Sequence, residues 1–92
     1  MMPLHVVIRG RVQGVGFRWF VREQGRLLGV RGWVRNRTDG GVEVSADGDP
    51  TKLESLRAQL REGPPGAVVT KMEELESSAE ELPNPFTILK ER

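Results

Sequence analysis

The residues best suited to chemistry lie in one short stretch, Gly10-Arg-Val-Gln-Gly-Val-Gly-Phe-Arg18. Its three glycines follow an apolar run and precede an amphipathic segment. Because glycine has no Cβ atom, the chain there can adopt positive φ and bring its amides close to a ligand. Several N–H groups at a helix start, together with the helix dipole, can bind one anion. Arg18 adds a permanently charged donor fork that fits phosphate oxygens, so the stretch predicts a site for one phosphoryl group.

Two widespread nucleotide-binding motifs do not fit this stretch. A P-loop ends in Gly-Lys-Ser or Gly-Lys-Thr, and neither triplet follows these glycines. The dinucleotide-binding motif needs a third glycine at the position that Trp19 occupies. The stretch therefore favours an anion smaller than a nucleotide.

The elements that would position this stretch follow from hydrophobic periodicity. Alternating apolar residues predict strands, and apolar residues at a 3.6-residue period, bounded by glycine or proline, predict helices. In chain order, the expected elements are a strand at 4–12, a helix at 17–28, a hairpin at 30–47 with its turn at 36–41, a helix that begins at Asp49-Pro50 and stops at Gly63, a strand at 67–75 and a short strand at 86–90.

This βαββαβ order predicts an α+β, ferredoxin-like split βαβ sandwich. Two helices would lie on one face of an antiparallel sheet of strand order 4-1-3-2, with a short extra C-terminal strand. The core-facing residues of the first strand are expected to be Leu4, Val6, Ile8, Gly10 and Val12. One face of the fourth strand is expected to consist of Val68, Thr70 and Met72. Gly25 is a predicted weak spot in the first helix, because glycine lowers helix propensity.

Length and composition exclude several classes of protein. The 92 residues are expected to form a single domain over 1–92. The absence of cysteine excludes disulfide scaffolds, thiolate catalysis and most structural zinc sites. No apolar run approaches the roughly 20 residues of a membrane span, and the N-terminus lacks the pattern of a secretion signal. We therefore expect a cytoplasmic protein.

Charge is unevenly distributed along the chain. Residues 1–45 carry eight arginines against three carboxylates, a net charge of +5, whereas residues 46–92 carry six basic and ten acidic residues, a net charge of −4. The positive half contains the glycine stretch, and its field would attract a small anionic substrate. The acidic residues between 73 and 81 fit no metal-ligand spacing and are expected to form a solvated strand end and loop.

A second motif, Gly32-Trp-Val-Arg-Asn-Arg-Thr-Asp-Gly40, follows the first. Together the two closely resemble the signature segments of acylphosphatases, and the flanking pattern from Val6 to Phe86 is similar to that family along nearly the whole chain. The resemblance implies metal-independent hydrolysis of the carboxyl–phosphate bond of acyl phosphates, without a cofactor. It also implies two catalytic residues: Arg18 binds the phosphate and Asn36 orients the attacking water.

The side chains available for catalysis are few. The chain has no cysteine nucleophile and no carboxylate cluster for magnesium, and its only histidine, His5, is expected to face away from the core. Phosphoryl transfer needs mainly positioning and charge stabilisation, and a carboxylate leaving group, whose conjugate acid has a pKa of about 4, needs no general acid. Such a site favours acyl phosphates over phosphate monoesters. The expected phosphate-binding residues are Gln13, Gly14, Val15, Gly16, Phe17 and Arg18.

Three other interpretations stay open. A ferredoxin-like domain could bind single-stranded RNA by stacking bases on sheet aromatics such as Trp33, although aromatic residues are few here. The chain could also be a related domain that handles carbamoyl phosphate for a larger maturation enzyme, or an inactive relative that only binds phosphate. We favour a monomeric hydrolase whose partners are a small acyl phosphate and, as product and inhibitor, inorganic phosphate, with no nucleic acid and no membrane partner.

Overall fold

A computed structural model describes residues 3–77 and 81–92. The elements are β1 (Leu4–Arg11), α1 (Phe17–Leu28), β2 (Arg31–Asn36), β3 (Val42–Asp47), α2 (Pro50–Glu62), β4 (Val68–Glu74) and β5 (Thr87–Ile88). This order confirms the predicted α+β, ferredoxin-like fold. Element ends differ from the prediction by about one or two residues, which is the usual uncertainty at a frayed terminus.

The sheet has the strand order β4-β1-β3-β2-β5. Its first four strands pair antiparallel in the predicted 4-1-3-2 order. β5, the short C-terminal strand whose direction the sequence did not predict, pairs with β2 in parallel, so the complete sheet is mixed. The cause is topological: β4 and β2 run in opposite directions, so β4 ends at the side of the sheet where β2 begins. A chain that returns from there along β2 must run parallel to it.

Both helices pack on one face of the sheet and enclose the core. The helix side of the core consists of Phe17, Val21, Leu53, Leu56 and Leu60, and the sheet side includes Leu4, Val6, Ile8, Val34, Val42 and Val44. α2 begins at the predicted cap, since the Asp49 carboxylate accepts a hydrogen bond from the Thr51 amide at 2.8 Å. Within the described ranges, neither helix is long and apolar enough to cross a membrane.

The register of β4 differs from the prediction. Val69 and Met72 pack against the core, whereas Val68 is 55% exposed, so residues 68, 70 and 72 do not share one face. The pairing of β4 with β1 shifts between Arg9 and Gly10, and this bulge adds a residue that reverses the alternation. Gly10 makes the bulge possible: its φ is 126°, and a Cβ atom there would overlap the carbonyl oxygen of Val68.

The sheet face away from the helices is more buried than a half-exposed strand pattern predicts. Glu43 is only 4% exposed, and its carboxylate bonds to His5 Nε2 at 2.6 Å and Arg35 Nη2 at 3.0 Å. Burial alone would raise the pKa of Glu43, but these hydrogen bonds outweigh it and hold the pKa below its ordinary value. Trp33 lies beneath this network, 6% exposed, with the Arg35 guanidinium 4.5 Å from its ring. It is therefore too buried to stack on a nucleic-acid base.

Gly25 is required by packing, contrary to its prediction as a weak spot. A Cβ atom at this position would lie 2.5 Å from Cδ2 of Phe86, whose ring is fully buried. Helix propensity alone would make Gly25→Ala stabilising by about 1 kcal/mol, but overpacking a core costs about 1–3 kcal/mol. We expect the steric cost to exceed the gain in helix propensity, so that the free energy of unfolding, measured in urea, falls by about 1 kcal/mol. In a Phe86→Leu background the same change should be neutral or stabilising; a stabilising effect in the parent protein would contradict this account.

Candidate active site

The glycine loop at 12–16 joins β1 to α1 and sets the start of the helix. Gly16 is the N-cap of α1, in a left-handed conformation with φ of 77°, and Gly14 adopts φ of 76°. No side chain of the described residues caps the start of the helix. Across residues 3–77 and 81–92, the amides of residues 14–18 donate to no protein acceptor. A helix start with unpaired N–H groups and a positive dipole end favours an anion.

A pocket of about 220 Å³ opens at this helix start. It is lined by Val12, Gly14, Gly16, Phe17, Arg18, Trp19, Asn36 and Ile88. Arg18 lies in the first turn of α1 and is exposed, and Asn36 is the last residue of β2. The fold thus brings Arg18 and Asn36 to one pocket although 17 positions separate them in the chain.

The pocket has a positive electrostatic character. None of its lining residues is acidic, and the first turn of α1 contains no acidic residue. Arg18 takes part in none of the ion pairs found among the described residues, whereas Arg9, Arg35 and Arg37 each pair with a carboxylate. A cation at a helix N-terminus opposes the helix dipole. An anion held between the Arg18 guanidinium and the helix amides removes that conflict.

Asn36 is held by backbone pairing on both sides. It pairs with Val42 across the β2–β3 hairpin, and its carbonyl oxygen accepts a hydrogen bond from the Arg92 amide at 3.1 Å. Its side-chain Oδ1 is buried and has no hydrogen-bond partner in the described part of the chain. Buried polar atoms are nearly always hydrogen-bonded, so this oxygen is suited to accept from a water or a ligand.

Gln13 connects the glycine loop to the hairpin. Its Nε2 donates to the carbonyl oxygens of Arg37 and Gly41, both at 2.8 Å. These bonds join the loop to the chain immediately after Asn36. Gln13 and Val15, both predicted to bind phosphate, do not line the pocket, and Val15 packs against the core.

Two pocket residues have no role in the sequence-based prediction. Trp19 follows Arg18 in the first helical turn, so its proximity to the site could have been inferred from the helix start. Ile88 comes from β5, and no local pattern connects it with the glycine loop; only the pairing of β5 with β2 brings it there.

The other ionisable candidates lie elsewhere. His5 bonds to Glu43 on the outer sheet face and does not line the pocket. Of the acidic run at 73–81, Glu73 pairs with Arg9, while residues 78–80 lie outside the described residues. In the part of the chain that the structure describes, no three His, Cys, Asp or Glu side chains are grouped so that they could hold a metal ion.

Comparison with known proteins gives matches in sequence and in fold. The family model described as Acylphosphatase matches residues 4–88. An acylphosphatase of Thermococcus kodakarensis is 54% identical over 69 residues, covering 75% of this chain and 76% of that protein. One of Acaryochloris marina is 44% identical over 94 residues, covering 98% of this chain and 100% of that protein. The crystal structure of acylphosphatase from Bacillus subtilis has a TM-score of 0.88 and 38% identity, covering 97% of this chain and 99% of that one.

Proposed function

The chain belongs to the acylphosphatase family, which hydrolyses acyl phosphates, and we propose that Arg18 and Asn36 carry out this reaction. It is an enzyme whose substrate is a small acyl phosphate. The observation that supports these residue roles is the shared pocket, which the glycine loop, Arg18 and Asn36 line together and which no acidic residue of the described ranges lines.

The glycine loop and Arg18 would bind the phosphoryl group. The amides of residues 14–18 and the Arg18 guanidinium would donate to the non-bridging oxygens of the phosphoryl group. The loop is fixed between β1 and α1, so its donors need little reorganisation as negative charge develops in the transition state. For Gln13, whose side chain bonds to the hairpin, only the backbone amide remains for the predicted contact.

Asn36 would orient the attacking water. Its buried Oδ1 can accept a hydrogen bond from the water, whose oxygen then faces the phosphorus. The water oxygen forms the new P–O bond, and the bond from phosphorus to the acyl oxygen breaks with its electron pair on the carboxylate. The proton released by the water passes to a phosphoryl oxygen of the substrate. The products are a carboxylate and inorganic phosphate.

The leaving group explains why this pocket needs no general acid. A carboxylate is stable as an anion at neutral pH, since its conjugate acid has a pKa of about 4. An alkoxide leaving group would need a proton, and among residues 3–77 and 81–92 no acidic or histidine side chain lines the pocket to supply it. We therefore propose metal-independent hydrolysis with a strong preference for acyl phosphates over phosphate monoesters. The cytoplasmic location, the monomeric state and inhibition by inorganic phosphate stay predictions.

Benzoyl phosphate hydrolysis tests the proposed chemistry. We expect turnover to be unchanged by EDTA, because the bound phosphoryl charge is met by Arg18 and backbone amides. Inorganic phosphate should inhibit competitively, since it would occupy the same donors. A phosphate monoester, 4-nitrophenyl phosphate, serves as the control substrate and should be turned over far more slowly. Loss of activity in EDTA that Mg²⁺ restores, or noncompetitive inhibition by phosphate, would contradict the proposal.

A further inference from the structure

We infer that Trp19 and Ile88 form a subsite for the acyl group of the substrate, so that this enzyme favours acyl phosphates with an aromatic or bulky apolar acyl group. The inference rests on the proposed function of the pocket. It concerns a part of the pocket that neither phosphate binding nor water positioning uses.

Trp19 is a large apolar side chain that lines the pocket and remains exposed to solvent. It is 58% exposed, although a tryptophan of an ordinary monomeric protein is mostly buried. Three other large apolar side chains among the described residues are more than a third exposed, and none of them lines the pocket: Leu27, Val68 and Leu75. An exposed indole beside the phosphate-binding donors offers its apolar surface to whatever is attached to the phosphoryl group.

The indole is held in place before a substrate arrives. The guanidinium carbon of Arg22, one turn further along α1, lies 3.8 Å from the centroid of the Trp19 ring. Such a cation–π contact occupies one face of the ring and restricts its rotamer. Because this contact favours one position of the indole, less conformational entropy is lost when an acyl group packs against it.

Ile88 supplies a second apolar surface from the other end of the chain. It lies in β5, next to Val34 of β2, and is half-buried at the edge of the core. Val12 and Phe17 also line the pocket, but they are almost wholly buried, so the apolar surface available to an acyl group is mainly that of Trp19 and Ile88. The pocket volume of about 220 Å³ exceeds the roughly 150 Å³ of a protein cavity that accommodates benzene, which leaves room beyond the phosphoryl group.

The position of these residues relative to Arg18 suits an acyl phosphate. Trp19 is the neighbour of Arg18 in the first turn of α1, and both line the same pocket as Asn36. A phosphoryl group bound at the loop would therefore have the indole beside it. An apolar acyl substituent has no charge or hydrogen-bonding group, so moving it from water to this surface has little desolvation cost. A planar aromatic ring also gains contact with the indole.

The test compares benzoyl phosphate with acetyl phosphate, which have the same phosphoryl group and different acyl groups. In Trp19→Ala we expect kcat/KM for benzoyl phosphate to fall about tenfold and that for acetyl phosphate to change less than about twofold. Trp19→Phe, which keeps an aromatic ring, should recover most of the loss. Leu27→Ala is the matched control, since Leu27 is exposed on the same helix but does not line the pocket. Equal losses for both substrates, or no loss for either, would overturn the inference.

A binding measurement separates this inference from the proposed function. Benzoylphosphonate and acetylphosphonate are not hydrolysed and keep the same contrast of acyl groups. By calorimetry, the wild-type protein should bind benzoylphosphonate about tenfold more tightly than acetylphosphonate, and Trp19→Ala should abolish the difference. If that preference is found without any turnover of acyl phosphates, the subsite stands and the proposed reaction fails. If acyl phosphates are turned over but the two phosphonates bind equally well, the proposed reaction stands and the subsite is overturned.

Discussion

Replacing Arg18 with lysine is expected to lower kcat/KM for benzoyl phosphate by about 100- to 1,000-fold. Lysine keeps the positive charge but loses the planar fork that can donate two parallel hydrogen bonds to phosphoryl oxygens. Its ammonium group also hydrates more strongly and sits on a more flexible stem. We expect KM to rise and kcat to fall together, because the fork binds the phosphoryl group in both the ground state and the transition state.

The structure offers a matched control for the same change of side chain. Arg11 lies at the end of β1, is exposed and does not line the pocket. Arg11→Lys should leave kcat/KM within about twofold of the wild type, since Arg11 does not line the pocket and the change keeps the net charge. If Arg18→Lys behaved like Arg11→Lys, a bidentate role for the Arg18 guanidinium would be wrong and only its charge would be needed.

Replacing Asn36 with alanine is expected to lower kcat by about 100-fold with KM within about twofold of the wild type. The Asn36 amide is proposed to contact the water and not the phosphoryl group, so substrate binding should survive its removal. The reaction would then depend on a water with no fixed position relative to phosphorus. Steady-state kinetics with benzoyl phosphate measure both constants, and full turnover by the variant would rule out the water-positioning role.

Stability distinguishes this effect from a folding defect. The Asn36 Oδ1 is buried without a hydrogen-bond partner in the described chain, so its removal breaks no internal hydrogen bond. We expect the free energy of unfolding to change by less than about 1 kcal/mol. Thr38→Ala, at an exposed position of the same hairpin, is the control for local changes and should keep full activity. A large loss of stability in Asn36→Ala would assign the residue a structural role instead.

The activity loss and the stability loss should therefore appear at different residues. Gly25 and Phe86 pack against each other and do not line the pocket, whereas the Arg18 side chain is exposed and Asn36 Oδ1 has no hydrogen-bond partner among the described residues. A site in which polar groups are left without protein partners is available to bind a ligand, and it contributes little to folding. This separation makes mutant kinetics interpretable, since variants at the site are expected to stay folded.

Much of the fold could be predicted because its signals are local. The α1 bounds follow from the glycines on either side of the helix, which adopt left-handed conformations at Gly16 and Gly29. The start of α2 follows from Asp49 and Pro50, whose preferences act within one helical turn. Alternation in β1 and β3 identified most of the core face correctly, because both strands are central and bury that face. Gly10, also predicted to face the core, is exposed, because the bulge opposite it interrupts the regular pairing of β1 with β4.

Other features depend on residues that are distant in the chain. Gly25 looks unfavourable until Phe86 is placed against it, and the bulge in β4 arises from its pairing with Gly10. The parallel direction of β5 follows from where the chain leaves β4. None of these contacts leaves a periodic or capping signal in its own segment.

The same division holds for the site. The glycine stretch and Arg18 are recognisable from their types and spacing, because a loop that exposes amides at a helix start is a local structure. Asn36 could be assigned a role only through the family resemblance. The pocket that Asn36 shares with Trp19 and Ile88 exists because the sheet places the ends of β2 and β5 beside the start of α1. Helix capping and the φ and ψ preferences of single residues act over a few positions, so a single sequence can reveal their outcome. Which distant side chains share one pocket depends on the packing of the whole core, and that is expressed only in three dimensions.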